Sequence, residues 1–432
     1  MDRIVGLDFG TTNSALSIMD PGQSPKLMRF YRDSGPTAMF RSVLYFTPEA
    51  LETQRRPAPV CGPQGIDLYL EEDDGSGRLM QSLKTWLAST SFTHTIVGPR
   101  ARFTLEELIA LIVRDMRMEA EATLGPLGNR VTVGRPVHLS RPANPERDEH
   151  AIGRLRKALA MAGFDEVNFV YEPLAAAYHY EQRLEHDEVV LIADFGGGTS
   201  DFSLLRVGPG CAARGERMDD VLGNAGVPLA GNALDGRLVQ RLVAPHLGMG
   251  SEYRTPFGKL REIPRSIFKL QWHELSTLRS QDTARMLAQY RRSALDPDRI
   301  ANFQALVEGD LGYRLYQAIE GVKIALSTQP ETTFAFDELH APIRAEVSRE
   351  RFESWIAPEL ESISQCVDGL LEETGVGPDQ VDRIFMTGGT SFIPAVRQIF
   401  SDRFGAHKLT TGEELTSVAS GLTLLGQAAM GT

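Results

Sequence analysis

The sequence predicts an α/β protein with at least two lobes. Its 432 residues exceed the roughly 250 to 300 residues at which a single hydrophobic core stops growing. The segment IVGLDFGTTNS at 4–14 is repeated in outline by VLIADFGGGTS at 190–200, so an apolar strand, Asp-Phe-Gly and a turn of small residues occur twice. Because the copies lie about a lobe apart, and not the 20 to 50 residues apart that a solenoid requires, they indicate lobes of related structure.

The composition is that of an ordinary globular protein, with 42% hydrophobic and 24% charged residues. A net charge of −12 argues against nucleic acid or an acidic membrane surface as the main partner. Cys61, Cys211 and Cys366 form no CxxC pair, as is typical of a reducing compartment. The sequence contains neither a signal-peptide pattern nor a run of about 18 apolar residues. We therefore expect a cytoplasmic protein that binds neither nucleic acid nor membranes.

Each copy of the repeat continues into a predicted β-hairpin. The second strands of these hairpins are SALSIM at 14–19 and DFSLLRV at 201–207, and Gly, Pro or Asp residues close them. Between the copies, RVTVGRPVHLS at 130–140 predicts another strand. The first half of the chain thus has strands that feed helices, which is the pattern of an α/β fold.

Two helices are predicted before the second copy of the repeat. The first covers 143–164, where Asn144 is the expected N-cap, Pro145 stands in the first turn and Gly163 ends the helix. The second covers EPLAAAYHYEQRL at 172–184.

The second half of the chain begins with a charged, helix-rich stretch at about 233–328. It includes the amphipathic segment KLREIPRSIFKLQWHELSTL at 259–278. A short β-like segment follows at 332–347. Finally, residues 383–404 predict a buried strand, a Gly-Gly-Thr-Ser turn and a helix.

The glycine-rich turns at the ends of strands predict a phosphate site. Without a Cβ, glycine lets backbone N–H groups approach an oxyanion closely. Asp8 and Asp194 would repel phosphate unless a cation lay between them, and Mg²⁺ is usually held by one or two carboxylates together with phosphate oxygens. A single GGG run is most often an ordinary loop, but the repetition and the turn at 388–391 favour a nucleotide.

Competing motifs fail. The sequence has no GxxxxGK[ST] loop, and GGGTSD at 196–201 lacks the last glycine of GxGxxG. It contains neither HExxH nor GxSxG.

The motifs resemble, in order and over nearly the whole chain, the ATPase domain of DnaK-type heat-shock chaperones in the actin, hexokinase and heat-shock superfamily, and most closely its shorter YegD-like branch. The segments that carry the resemblance are DFGTTNS at 8–14, VTVGRPV at 131–137, YEPLAAAYHY at 171–180, DFGGGTSDF at 194–202, EGVKIALS at 320–327 and FMTGGTSFIP at 385–394. The resemblance implies the actin-like ATPase fold, with a central mixed sheet of ribonuclease-H-like type in each lobe. It implies lobes at 1–187 and 188–432, with added subdomains at about 34–128 and, helix-rich, about 230–347.

The resemblance also implies the site. Asp8 and Asp194 would orient hydrated Mg²⁺, and K⁺ is a further candidate ion. The implied catalytic residues are Lys84, Glu172, Asp194, Thr199 and Asp201. The implied ATP- or ADP-binding residues are Gly10, Thr11, Thr12, Asn13, Gly196, Gly197, Gly198, Thr199, Glu320, Lys323, Ser327, Gly388, Gly389, Thr390 and Ser391.

The catalytic residues have separate implied roles. Thr199 would contact the γ-phosphate and Asp201 would lie near the attacking water. Glu172 would position water or metal, although an acidic residue at a helix start also compensates the helix dipole. Lys84 would stabilise charge on the transferring phosphate, although a surface lysine on a helix is the ordinary alternative.

The chain departs from the family pattern in three places. Ile324 and Phe392 stand where the chaperones have arginines on either side of the adenine ring. The helical stretch at about 245–318 looks longer than the family's usual subdomain, as either a solvated decoration or a surface for a partner. After SVASGLTLLGQAAMGT at the end of this sequence we expect no linker and no peptide-binding domain.

We expect a slow, Mg²⁺-dependent ATPase of chaperone type whose lobes close on ATP, with a protein client or co-chaperone as an unidentified partner. A small-molecule kinase of the same superfold, with Asp201 as the base, is an alternative. A filament-forming actin-like protein is another.

Overall fold

The computed structural model describes residues 3–31, 35–72, 76–98, 101–140, 144–181, 184–214, 218–271, 275, 278, 280–410 and 414–430. The statements below concern these residues.

The strands, in chain order, are β1 (Ile4–Asp8), β2 (Asn13–Met19), β3 (Lys26–Leu27), β4 (Phe40–Arg41), β5 (Val43–Phe46), β6 (Val60–Cys61), β7 (Arg78–Gln81), β8 (Thr95–Val97), β9 (Ala101–Phe103), β10 (Arg130–Arg135), β11 (Glu166–Tyr171), β12 (Glu188–Phe195), β13 (Ser200–Val207), β14 (Val221–Val227), β15 (Glu252–Arg254), β16 (Leu260–Glu262), β17 (Glu331–Phe336), β18 (Ile343–Ser348), β19 (Arg383–Thr387) and β20 (Leu409–Thr410).

The α-helices described are α1 (Pro48–Thr53), α2 (Gly62–Glu71), α3 (Leu105–Leu124), α4 (Pro145–Met161), α5 (Glu172–Glu181), α6 (Pro209–Arg214), α7 (Gly231–Leu238), α8 (Gln281–Ser293), α9 (Pro297–Glu308), α10 (Gly312–Thr328), α11 (Arg349–Trp355), α12 (Ala357–Thr374), α13 (Pro394–Phe404) and α14 (Glu414–Met430). In the described part of the chain, no helix combines the length and apolarity needed to cross a bilayer.

Two mixed sheets share one local plan. The first has the order β11-β10-β1-β2-β3, with β4 paired to β2, and the second has the order β14-β13-β12-β19-β20. In the first, β1 lies between antiparallel β2 and parallel β10. In the second, β12 lies between antiparallel β13 and parallel β19. The repeated sequence motif therefore corresponds to a repeated arrangement of strands, with both Asp-Phe-Gly segments at the carboxyl end of a central strand.

Helix α4 forms where the sequence predicts it. The Asn144 side chain accepts a hydrogen bond from the Arg147 N–H, and Pro145 fills the first helical position. Gly163 follows the helix with φ of 95°, a backbone conformation that favours glycine. The neighbouring prediction of a helix at 172–184 is confirmed over Glu172–Glu181, and residues 182 and 183 lie outside the described part.

The helix-rich stretch at 233–328 contains a hairpin, between 252 and 262, that the sequence did not predict. There β15 and β16 form an antiparallel hairpin, closed by a turn in which the Thr255 N–H donates to the Lys259 carbonyl. Thr-Pro-Phe-Gly at 255–258 favours a turn, and Pro264 cannot supply a helical N–H. The segment 259–278 therefore does not form one amphipathic helix, although residues 272–274, 276 and 277 lie outside the described part.

Helix α14 joins the end of the described chain to its beginning. It packs on α5 and against β1, β2 and β10 of the first sheet. The contact is close because glycine allows it. A Cβ added at Gly421 would lie 1.9 Å from the carbonyl oxygen of Ala175, and one at Gly6 would lie 2.5 Å from the Ala419 carbonyl.

A small aromatic cluster connects α2 and β5 with the start of α10. Tyr69 makes edge-to-face contacts with Tyr45 and Tyr313, at ring-centroid distances of 5.6 and 5.4 Å. Its hydroxyl donates to the carbonyl of Asp310 at 3.0 Å. The Arg314 guanidinium donates to the carbonyl of Leu70 at 2.6 Å. Segments about 240 residues apart in sequence are thus joined by apolar and polar contacts.

Candidate active site

The first glycine turn connects β1 to β2. A Cβ on Gly10 would lie 2.0 Å from the Asn13 carbonyl oxygen, so the turn requires glycine there. The Ser42 hydroxyl donates to the Gly10 carbonyl at 2.9 Å, and its N–H donates to the Thr12 carbonyl at 2.9 Å. The Asn13 side chain accepts from Arg41 at 3.3 Å. Thr11 and Thr12 are half-buried on this turn.

The second glycine turn connects β12 to β13. It closes through the Gly196 N–H, which donates to the Thr199 carbonyl at 2.9 Å. The start of α7 supports it from behind, because the Asn232 N–H donates to the Gly197 carbonyl at 2.8 Å. The Thr199 hydroxyl donates to the Asp201 carboxylate at 2.9 Å. Two of the predicted catalytic side chains are therefore in direct contact.

The two turns meet. A Cβ on Gly197 would lie 2.5 Å from Oγ1 of Thr12, so the backbone of the second turn lies directly against a side chain of the first. Asp8 and Asp194, which are 186 positions apart in the sequence, lie at the ends of the two strands that lead into these turns, β1 and β12.

Gly231, at the start of α7, marks a second convergence that the sequence reasoning missed. A Cβ there would lie 3.4 Å from Nζ of Lys323, 3.5 Å from Oγ1 of Thr390 and 3.8 Å from the Gly196 carbonyl oxygen. Gly231 is therefore surrounded by Lys323 of α10, by the Gly-Gly-Thr-Ser turn and by the second glycine turn. The glycine before Asn-Ala-Leu-Asp was a sequence feature that could have indicated it.

The Gly-Gly-Thr-Ser turn follows β19. Gly388 has φ of 82°, and a Cβ there would lie 2.0 Å from the Phe195 carbonyl oxygen. Thr390 and Ser391 are buried, and the Ser391 hydroxyl donates to the Gly388 carbonyl at 2.6 Å. Gly389 is exposed. Because Gly388 contacts the end of β12, this turn is held beside the second glycine turn.

Lys84 and Glu172 form an ion pair, with 2.8 Å between Nζ and Oε1. Lys84 stands on a short 3₁₀ helix at Leu83–Trp86, and Glu172 is the first residue of α5. Their side chains are only 11% and 16% exposed. Burial lowers the pKa of Lys84, but the carboxylates of Glu172 and Asp8 outweigh it, so the pKa is raised overall. This lysine is an ammonium within the site and not a solvated surface residue.

The Asp8 carboxyl is electrostatically strained. Burial, and next the Glu172 carboxylate, raise its pKa to about 7, while the ammonium of Lys84 opposes the rise. Asp194 adds to the rise. Like charges near one another disfavour ionisation, so these carboxylates form a region that favours a bound cation.

Asp194 lies on the central strand β12, where its neighbours on the adjacent strands are Asp201 on β13 and Thr387 on β19. Burial raises its pKa to about 6. The Thr387 hydroxyl donates to Oδ1 at 2.6 Å and lowers this pKa, whereas Glu172 and Asp201 raise it. Sequence reasoning missed Thr387, whose position just before Gly388 was the available indication.

Helix α10 carries the other predicted nucleotide residues. Nζ of Lys323 lies 2.8 Å from Asp235 on α7, in a pair whose side chains are 11% and 9% exposed. Asp235 was not predicted, because nothing local in the sequence indicates this partner. The Ser327 hydroxyl donates to the Lys323 carbonyl at 3.0 Å, and Glu320 is half-buried. The three predicted residues therefore lie on one helix, and the lysine is ion-paired with α7.

The carboxylates of Asp8 and Asp194 are of the chemical kind that can hold a hydrated magnesium ion. Among the described residues, no three His, Cys, Asp or Glu side chains come together as a metal-binding group. Asp194 is nonetheless close enough to Asp8 to raise the pKa of its carboxyl. Mg²⁺ keeps several waters and typically takes one or two carboxylates with phosphate oxygens.

Comparison with known proteins agrees with this geometry. The model of the Hsp70 protein family matches residues 84–244 and 305–432, about two thirds of the chain. The chaperone protein DnaK of Thermus thermophilus is 24% identical over 425 residues, which cover 94% of this chain and 57% of the relative. DnaK of Deinococcus proteolyticus is 25% identical over 425 residues, covering 56% of that relative.

The chain thus spans little more than half the length of these curated relatives. Because the family model matches most of its residues, the chain belongs to the Hsp70 protein family and has that family's actin-like ATPase fold.

Proposed function

We propose that this chain is an ATP-binding, chaperone-type ATPase that hydrolyses ATP to ADP and phosphate slowly, with Mg²⁺ and closure of its lobes. The observation that carries the proposal is the convergence of three strand-end turns at Gly197 and Gly231. Backbone N–H groups of such turns suit the oxygens of a polyphosphate. The relatives named chaperone protein DnaK support the same assignment.

In this proposal, Asp8 and Asp194 hold hydrated Mg²⁺, and K⁺ is a further candidate ion. Bound there, magnesium would neutralise charge on the phosphates. The raised pKa values of both carboxyls support the assignment, because a cation relieves the repulsion that raises them.

The remaining catalytic roles follow the contacts. Thr199 faces the terminal phosphate. Asp201 orients the attacking water, and its carboxylate also accepts a hydrogen bond from the Thr199 hydroxyl. The Lys84 ammonium, kept charged by Glu172, stabilises charge on the transferring phosphoryl group. The phosphate-binding residues are Gly10, Thr11, Thr12, Asn13, Gly196, Gly197 and Gly198.

The nucleoside would lie beside Glu320, Lys323, Ser327 and the turn at 388–391. Ile324 and Phe392 are 62% and 57% exposed, and exposed apolar side chains can pack on the faces of a purine ring. Since neither carries charge, we expect weaker base binding with little dependence on salt.

The finer placement of the chain is also a proposal. We assign the lobes to 1–187 and 188–432, the family position to the YegD-like branch, and the location to the cytoplasm. Hsp70-type behaviour implies a protein client or co-chaperone, whose identity is open.

The test is nucleotide binding and phosphate release by the wild type beside Thr199→Ala and Asp194→Asn. We expect each variant to lose at least about tenfold in phosphate release, with the Asp194 variant also losing its response to Mg²⁺. Asp282→Asn, at an aspartate whose side chain is 91% exposed, is the matched control and should behave as wild type.

Three outcomes would overturn the proposal. Wild type that does not bind ATP, or variants equal to wild type, would remove the ATPase assignment. Phosphate transfer that requires an added hydroxyl compound would assign the chain as a kinase instead.

A further inference from the structure

The segment that carries Lys84 has little regular structure of its own. After β7, Ser82 adopts φ of 57° and ψ of 32°, a left-handed conformation unusual for a residue other than glycine. The short 3₁₀ helix at Leu83–Trp86 then ends, and residues 87–92 form no helix or strand. A flexible lysine on so short a turn needs external support to hold its ammonium at one point.

One buried guanidinium gathers the carbonyls of this segment. Arg154 on α4 donates from Nη1 to the carbonyls of Ser89 at 3.0 Å and Trp86 at 3.4 Å. From Nη2 it donates to the carbonyl of Phe92 at 3.1 Å. The planar fork of arginine matches several acceptors at once, which the single ammonium of lysine cannot reproduce.

Arg154 is itself fixed. Nε donates to Oε1 of Glu106 at 2.8 Å, and Nη2 lies 3.4 Å from Oε2. The two side chains are 8% and 12% exposed. Arg147, two turns earlier on the same helix, donates to the carbonyl of Ala88 at 3.3 Å. Helix α4 therefore holds four carbonyls of the segment that follows Lys84.

The support reaches Lys84 through the backbone. The Leu87 N–H donates to the Lys84 carbonyl at 3.2 Å, and the Ser89 N–H donates to the Trp86 carbonyl at 3.0 Å. Leu83 and Leu87 are buried in the same core as α4. A displacement of the held carbonyls would thus move the turn on which the ammonium stands.

We propose that Arg154 is a positioning residue that holds Lys84 against Glu172 and the transferring phosphate. The inference rests on the proposed function for its kinetic consequence. The position of the Lys84 ammonium, in contrast, can be tested whether or not the chain hydrolyses ATP. Misplacement of a catalytic group by about 1 Å can cost on the order of a hundredfold in rate.

The kinetic test is a double-mutant cycle on phosphate release with Arg154→Lys and Lys84→Ala. We expect Arg154→Lys to lower kcat by about tenfold or more while KM for ATP changes by less than about twofold. In the Lys84→Ala background the same change should have almost no further effect, because both act on one group. Effects that multiply would show that Arg154 does not act through Lys84, and would overturn the proposal.

Arg117→Lys is the matched control. Arg117 also holds loop carbonyls, those of Gly163 and Gly128, and stacks on Phe164 in the same core. Its replacement should lower stability without lowering kcat at temperatures well below unfolding. An equal loss of kcat in this control would reduce Arg154 to a general structural role.

A second measurement separates this inference from the proposed function. Limited acetylation by acetic anhydride, read by peptide mass spectrometry, compares Lys84 with Lys323, which is ion-paired and also 11% exposed. In Arg154→Lys we expect acetylation of Lys84 to rise several-fold relative to Lys323, with no such rise in Arg117→Lys.

These outcomes are distinguishable. Unchanged acetylation of Lys84 overturns the positioning role whatever the phosphate assay gives. Increased acetylation of Lys84 in Arg154→Lys, together with a wild type that releases no phosphate from ATP, supports the positioning role and rejects the ATPase. Should Arg154→Lys not fold, Glu106→Gln, which keeps the shape of the guanidinium's partner, carries both measurements with the same expectations.

Discussion

The carboxylates of Asp8, Asp194 and Glu172 lie near the single ammonium of Lys84. The excess of negative charge should be measurable, without any ligand, as a dependence of the protein's stability on pH. Burial and the neighbouring carboxylates raise the pKa of Asp8 from 3.8 to about 7. A raised folded-state pKa gives a stabilising contribution that is complete below about pH 4 and is lost as the pH rises through about 7. Above that pH the ionised carboxyl destabilises the nucleotide-free fold.

Asp8→Asn should therefore stabilise the nucleotide-free protein at pH 8 while abolishing phosphate release. We expect the thermal midpoint, measured with a chelator, to rise by at least about 2 °C at pH 8 and by clearly less at pH 5. Asp282→Asn should give no shift at either pH. An equal gain at both pH values would mean that ionisation of Asp8 is not the cause.

At the residue scale, the sequence predicted groups that stand next to the repeated motif and missed their distant partners. Asp8 and Asp194 could be singled out because the same Asp-Phe-Gly segment precedes a glycine turn twice, although a single aspartate at a strand end is most often only a turn former. Thr387 and Asp235 could not, because each is defined by a partner more than 80 positions away. Local patterns carry no information about such pairs.

At the scale of elements, the crossing of α14 over the first sheet depends on glycine. A methyl group on Gly421 would lie 1.9 Å from a backbone oxygen of α5, which cannot rotate away. Gly421→Ala should lower stability by about 1–3 kcal/mol. Thermal or urea unfolding checks this value.

Gly369→Ala is the control for helix propensity. It lies exposed within α12, where a Cβ would meet nothing within 4 Å. We expect it to stabilise by about 0.4–1 kcal/mol, because alanine restricts the unfolded chain. A Gly421 variant that matched the Gly369 variant would show that the close crossing is not needed.

Elements were predictable where capping or periodicity was strong, as for α4 and the strands before the glycine turns. The hairpin β15–β16 was missed because its strands have three residues each and its partly exposed segments lack a clear period of two. Charged residues in such a stretch are equally compatible with a solvated helix. Only the turn residues at 255–258 argued otherwise.

At the scale of the whole molecule, the aromatic cluster around Tyr69 joins residues that we assign to the two proposed lobes. Tyr69→Ala should loosen this connection and increase the rate of nucleotide release several-fold, because cleft opening often limits release. Stopped-flow measurement with a fluorescent ATP analogue checks it. Tyr69→Phe, which loses only the hydrogen bond to Asp310, should have a smaller effect.

Tyr253→Ala serves as the control for this experiment. Tyr253 pairs edge-to-face with Tyr290 within the helix-rich part of the chain, at 5.0 Å between ring centroids. Its loss should not change nucleotide release. Equal acceleration in both variants would indicate general loosening and not a specific connection across the cleft.

The doubled plan of the molecule was predictable because the chain repeats its most constrained segment. The packing of α14 on the first sheet was not, since an apolar helix pattern does not say which sheet it covers. The meeting of Thr12 with Gly197 likewise depends on how two sheets face each other. Both contacts join residues that are far apart in sequence, and the packing of the whole core determines them, so local sequence patterns do not predict them.

The packing of α14 against β1 also affects how the chain folds while it is being translated. Gly6 rests against residues 419 and 423, so the first sheet lacks one of its covering helices until almost all of the described chain has been translated. At about 5 to 20 residues per second, that delay is on the order of 20 to 80 seconds. During this interval the apolar face of β1 and β2 stays open to nascent-chain binding factors and to aggregation.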